Sequence, residues 1–211
     1  MQYLPIKLKN LIVLCLSTNL WLTACASLQA IGGDMDVKNK FRGMAVEKVI
    51  DGVNEYQYVT ITREGDIQID ALAKVGPKNR HTSFSSSEYP VPKTIHVKWR
   101  NPQDGKAIMD NGELRYEGTV IGDYTVPVAE RIPDAILNEL HKGKSNLRLK
   151  IRLIDDGILV GWDIERRGKL KGSVEYVMAG GDFVQAERFN GKVVRKGWYI
   201  NKNGQKIETD Y

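Results

Sequence analysis

The chain has 211 residues, 42% hydrophobic and 27% charged, a balance that suits one globular domain with a real core. Its formal charge of +5 is small and well mixed with acids, which argues against a nucleic-acid partner. Only two cysteines occur, Cys15 and Cys25, so the chain beyond them has no disulfide, thiolate metal site or cysteine nucleophile.

The chain opens on two basic residues, Lys7 and Lys9, ahead of the apolar run Leu11-Ile12-Val13-Leu14-Cys15-Leu16. The run continues through Ser17-Thr18-Asn19 to Leu20-Trp21-Leu22. It is shorter and more polar than the ~20 apolar residues of a membrane-spanning helix, and it has the layout of a secretory leader. It closes on Leu22-Thr23-Ala24-Cys25, which resembles the lipobox of bacterial lipoproteins. The resemblance implies cleavage before Cys25, a diacylglycerol on its sulfur and acylation of the new amino group. It also implies delivery to the periplasmic face of the outer membrane, because Ala26 stands where an acidic residue would retain the protein in the inner membrane. Residues 1–24 are thus expected to be signal peptide and residues 25–40 a lipidated tether, with a single β-rich periplasmic domain over residues 41–211. Removing Lys7 and Lys9 with the leader lowers the charge from +5 to +3.

The domain reads as short strands separated by turns. Tyr56-Gln57-Tyr58-Val59-Thr60-Ile61-Thr62 is aromatic and β-branched, and Arg63-Glu64-Gly65-Asp66 turns the chain. Ile67, Ile69 and Ala71 then alternate with polar residues. Residues 74–93, with Ser83-Phe84-Ser85-Ser86-Ser87, read as a polar loop, and His81 falls within it. The segment from Thr94 to Arg100 alternates again. Residues 101–112 read as a second polar connection, and 113–128 as one long strand or two, broken near Gly122-Asp123. Residues 133–142 predict the one helix, with Pro133 and Asp134 at its start and His141 and Lys142 at its end.

The clearest element is a hairpin. Leu147, Leu149, Ile151 and Leu153 alternate with Arg148, Lys150 and Arg152, and Ile158, Val160, Trp162 and Ile164 repeat the period. A type I′ turn at Asp156-Gly157 predicts Leu153 opposite Val160, Ile151 opposite Trp162 and Leu149 opposite Ile164. The other face sets Lys150 against Asp163 and Arg148 against Glu165, and reads as a solvated, salt-paired surface. Further turns are expected at Asn190-Gly191 and Asn201-Lys202-Asn203-Gly204. The fold class expected is mainly β, an antiparallel sandwich or curled sheet with one short helix.

His81, His96 and His141 are too far apart in sequence to share metal-ligand spacing, and the serine run lacks a nucleophile elbow. No cofactor is expected. An enzyme would have to draw on dispersed acids such as Asp110, Glu113 or Asp163.

Tyr89-Pro90-Val91-Pro92 leads into Ile95, Val97, Trp99 and Arg100, and Tyr124, Val126, Pro127 and Val128 lead to Ile132-Pro133. These segments resemble a family of small Gram-negative lipoproteins, some of which are immunity proteins against lipase effectors of type VI secretion. The resemblance implies a domain that binds a periplasmic protein, with a lipase effector as the candidate, and blocks its active site. The alternative is a structural or assembly lipoprotein with an endogenous partner. Contacts concentrate on loops held by rigid strands, which singles out the two polar connections and the strand between them. Arg80, His81, Tyr89, Trp99, Arg100 and Asp104 are the residues expected to meet the partner.

Replacing Cys25 by Ala is expected to abolish incorporation of labelled lipid and leave an uncleaved precursor or a soluble product. Unchanged labelling and membrane association in that variant would exclude the lipoprotein assignment.

Overall fold

The computed structural model describes residues 46–85, 91–142, 145–169 and 173–210; Cys25 and Tyr89 lie outside them. Among the described residues the fold is mainly β, in several sheets with a single short α-helix. β2 (Tyr56–Arg63), β3 (Ile67–Val75), β5 (Thr94–Arg100) and β8 (Val120–Pro127) form an antiparallel four-stranded sheet in the order β3-β2-β5-β8. Its inner face buries Val59, Ile61, Ile95, Val97 and Trp99, the residues whose alternation marks the strands. Trp99 stacks on Tyr124 at 5.3 Å between ring centroids and meets the edge of Tyr56 at 5.0 Å.

A five-stranded sheet supplies the other wall of this core. It holds β1 (Val46–Gly52), β4 (His81–Ser85), β9 (Ser145–Ile154), β10 (Gly157–Arg167) and β11 (Val174–Gly181), in the order β11-β10-β9-β1-β4. Its inner face carries Ile50, Leu147, Leu149, Ile151, Leu153, Val160, Trp162 and Ile164, all buried. Lys48 crosses between the sheets, its ammonium 2.8 Å from the Asp70 carboxylate on β3. The helix α1 (Asp134–Leu140) follows Pro133 and buries Ile136 and Leu140, and His141 caps its end.

β1 carries no alternation of polarity in sequence, and for a physical reason. Both of its faces are covered, so Lys48 and Asp51 are buried along with Val49 and Ile50, and Glu47 is half-buried. It runs parallel to β9, Val46 opposite Leu147 and Ile50 opposite Ile151, while all the other ladders are antiparallel. A parallel pair needs a long crossover, here filled by the entire four-stranded sheet and the helix.

Several expectations are corrected. The β9–β10 loop is Asp155-Asp156, because Ile154 pairs with Gly157. Neither these residues nor Gly157 adopts the left-handed φ of a type I′ turn. Instead the Asp155 carboxylate accepts hydrogen bonds from Asn54 Nδ2 and the Tyr56 hydroxyl, each at 2.9 Å, which ties the turn to the β1–β2 connection. The register is therefore Ile151 opposite Val160, Leu149 opposite Trp162 and Arg148 opposite Asp163. The displacement is even, so every side chain keeps its expected face. His81 and Ser83-Phe84-Ser85 belong to the edge strand β4 and not to a loop. The connection 101–112 contains β6 (Lys106–Asp110), which pairs with β7 (Glu113–Glu117) around Asn111-Gly112, both with positive φ. The break in 113–128 falls at Gly118, φ +120°, and not at Gly122-Asp123. Gly122 sits inside β8, where its missing side chain makes room for the Trp99 indole.

The chain ends in short ribbons. β12 (Phe183–Val184), β15 (Gly197–Ile200) and β16 (Lys206–Thr209) form one sheet, and β13 (Glu187–Phe189) and β14 (Lys192–Arg195) form the hairpin expected at Asn190-Gly191. Asp182 turns the chain from β11 into this layer. Its main-chain N–H donates to Val160 O at 2.7 Å, and its carboxylate accepts from Val160 N at 2.8 Å and from the Arg131 guanidinium.

A Cβ at Gly122 would overlap the Trp99 indole. Gly122→Ala is therefore expected to destabilise the domain by about 1–3 kcal/mol in urea unfolding. Gly157→Ala, whose nearest neighbour would be Ile154 at 3.9 Å, is expected to stay within about 0.5 kcal/mol of the parent.

Candidate functional site

The alternation that puts leucines on one face of β9 puts Arg148, Lys150 and Arg152 on the other. That face is not the solvated surface expected from the sequence. The C-terminal layer covers it, and Arg148, Lys150 and Asp163 are 4%, 1% and 0% exposed. Charges so enclosed must be paired, since each loses its hydration. Asp163 on β10 takes Lys150 at 2.9 Å, Arg148 at 3.3 Å and, from β14, Arg195 at 3.3 Å. Arg195 also meets Glu187 on β13 at 2.5 Å, and Arg148 meets Glu47 on β1 at 3.2 Å. Alongside, Arg152 grips Asp51 with two hydrogen bonds of 2.8 Å, and Gln185 donates to the same carboxylate at 2.9 Å.

Rings cover the cations. The Arg148 guanidinium lies 4.0 Å from the Tyr176 ring centroid, and Arg152 lies 4.3 Å from that of Phe183. Burial pushes the Lys150 ammonium below the usual lysine range, against the pull of Asp163. Burial also pushes the Glu47 and Glu187 carboxyls up, against Arg148 and Arg195 respectively. Four carboxylates face four cations here, so the layer is balanced and closed. It fastens the C-terminal ribbons to the sheet.

Surface chemistry lies elsewhere, on the β6–β7 hairpin. It is clamped along its length: Tyr58 and Tyr116 pack edge to face at 5.5 Å near its base, and Gln68 Nε2 donates to Leu114 O at 3.0 Å on the rung of Met109. The Asp104 carboxylate accepts from Thr119 N at 3.0 Å and from Thr119 Oγ1 at 2.5 Å, which holds it below the usual carboxylate range. Arg115 holds Asp110 and Glu113 together at the tip, at 3.0 and 3.3 Å. Asp163, the third dispersed acid, is not with them. On this stiff arm Met109 stands 68% exposed, and Val120 and Ile121 at the start of β8 are also exposed.

The residues expected to meet a partner separate into several environments. Trp99 is buried in the core. Arg100 is half-buried and donates to Tyr58 O at 3.1 Å and Thr60 Oγ1 at 3.2 Å. Asp104 is exposed but occupied with Thr119. Arg80 is exposed beside β4, and His81 reaches Asp70 at 3.4 Å. Sequence reasoning missed Met109 because residues 101–112 read as loop; the Asn111-Gly112 pair flanked by Met109 and Leu114 was the signal for a hairpin. No group of three or more His, Cys, Asp or Glu among the described residues is placed to hold a metal ion. Searches against family models, curated proteins and solved structures return no match.

Asp163→Asn leaves three enclosed cations around a neutral amide, and is expected to cost about 3–5 kcal/mol in urea unfolding. Adding Lys150→Met to that variant removes one uncompensated charge and is expected to recover part of the loss. A double variant no more stable than Asp163→Asn would show that the ion pairing does not hold the layer.

Proposed function

We propose that this chain is a lipid-anchored protein of the periplasmic face of the outer membrane that acts by binding another protein, as an immunity protein that occludes a lipase effector. The Leu22-Thr23-Ala24-Cys25 leader supports the location. The observation that carries the binding role is Met109, an apolar side chain held 68% exposed on a hairpin fixed by Asp104 and Tyr116 at its base and by Gln68 beside its tip. Methionine and aromatic residues are favoured at the centres of protein interfaces, and a stiff arm loses little entropy on docking. An arm of this kind suits insertion into the concave mouth of an enzyme.

In cells challenged with a panel of type VI lipase effectors, the chain is expected to protect the envelope against one of them. Met109→Asp should abolish protection without loss of folding, since the side chain is exposed. Lysis of cells carrying the parent chain by every effector of the panel would refute the immunity role, and full protection by Met109→Asp would move the contact away from the arm.

A further inference from the structure

The ladders of the five-stranded sheet bring one set of strand ends together. Val46 at the start of β1, Ser85 at the end of β4, Leu147 near the start of β9, and Ile164 and Val177 on β10 and β11 lie in one row. Beyond that row, among the described residues of the sheet, stand Ser145, Asn146, the last residues of β10 and the first of β11. Lys142, at the end of α1, leads into β9 here, and Glu139 lies 4.0 Å from Arg166. The β13–β14 hairpin points the same way. It starts beside Val160, where Asp182 binds, and passes Asp163 and Tyr176, both bonded by Arg195, before its tip at Asn190-Gly191.

Two features coincide at this end. Lys142, Arg166, Arg167, Lys169, Arg188 and Lys192 are exposed and outnumber the acids beside them, Glu139, Glu165, Glu175 and Asp210; Lys142 pairs with Glu139 and Arg166 with Glu175. The same end carries bare apolar side chains from three strands: Phe84 at 71% exposure on β4, at the opposite edge of the sheet from Val174 at 51% on β11, and Val194 at 61% on β14. Cations and exposed apolar groups on one end match the chemistry of an anionic bilayer surface, where the first meet phosphate and the second enter the headgroup boundary. The first described strand, β1, also begins here at Val46.

We propose that this end of the domain is a membrane-docking surface for anionic phospholipid, which seats the body on the bilayer. The inference builds on the lipid-anchor reading, and it leaves Arg80, His81 at the opposite end of β4, and the β6–β7 arm for a protein partner.

The test uses the full chain, produced in a lipoprotein-processing host, with Val194→Cys labelled by an environment-sensitive fluorophore. The parent chain is labelled in parallel. Fluorophore on its Cys15 or Cys25 would refute the anchor reading alone, and a background with both Cys15→Ser and Cys25→Ser then keeps the probe at position 194. On vesicles containing phosphatidylglycerol the emission is expected to shift to the blue. The shift should vanish in high salt, where the Debye length falls to ~3 Å, and with Lys169→Glu plus Lys192→Glu. It should be absent on phosphatidylcholine alone. No shift on either vesicle, or an equal shift on both, would overturn the proposal. A shift produced by periplasmic protein without lipid would also overturn it, and would assign the surface to a protein.

Discussion

The structure depends on one enclosed carboxylate. Asp163 has no exposed surface and lies within 3.3 Å of three cations, two from the neighbouring strand β9 and one from the covering hairpin. Taking such ions out of water costs several kcal/mol each, and only close pairing offsets it. The central strands β9 and β10 therefore have two interiors: a leucine-rich one against the four-stranded sheet, and an ionic one against the C-terminal ribbons. The second is satisfied only when Arg195 and Glu187 arrive from β14 and β13.

Smaller features follow from the need to close that layer. Opposite Lys150 stands Gly161, where a side chain would collide with Phe183 of the cover. Gly181, φ +97°, lets the chain leave β11, and Asp182 locks the reversal onto Val160 and Arg131. Such a layer adds less stability than an apolar one of the same size would, but its directional bonds admit few alternative placements of the ribbon.

Internal neutrality also sorts the surface. Charges inside the layer are balanced and unavailable, so the outward character of the domain comes from residues at its ends. One end combines cations with exposed phenylalanine and valine. The β6–β7 arm combines a methionine with locally paired charges. The two sets of residues do not overlap, so contact at one leaves the other open.

Much of this was legible in the residues. The strict two-residue period of 147–153 and 158–164, the aromatic and β-branched segment at 56–62, the Asn190-Gly191 turn and the helix after Pro133 each have a local cause, and local causes are written in sequence. The side chains' division between two faces was also determined, since it needs only the strand period. Three things were decided by tertiary structure. The identity of the core-facing surface was readable, but not that the opposite face was covered too, because nothing local to 148–163 announces a layer contributed by 183–209. The strand β1 has no amphipathic signature, as a strand enclosed on both sides has no need of one. The turn register was set by Asn54 and Tyr56, about a hundred residues away in the chain, reaching the Asp155 carboxylate. Periodicity fixes which way a side chain points; only the assembled neighbours decide whether water or another charge is waiting there.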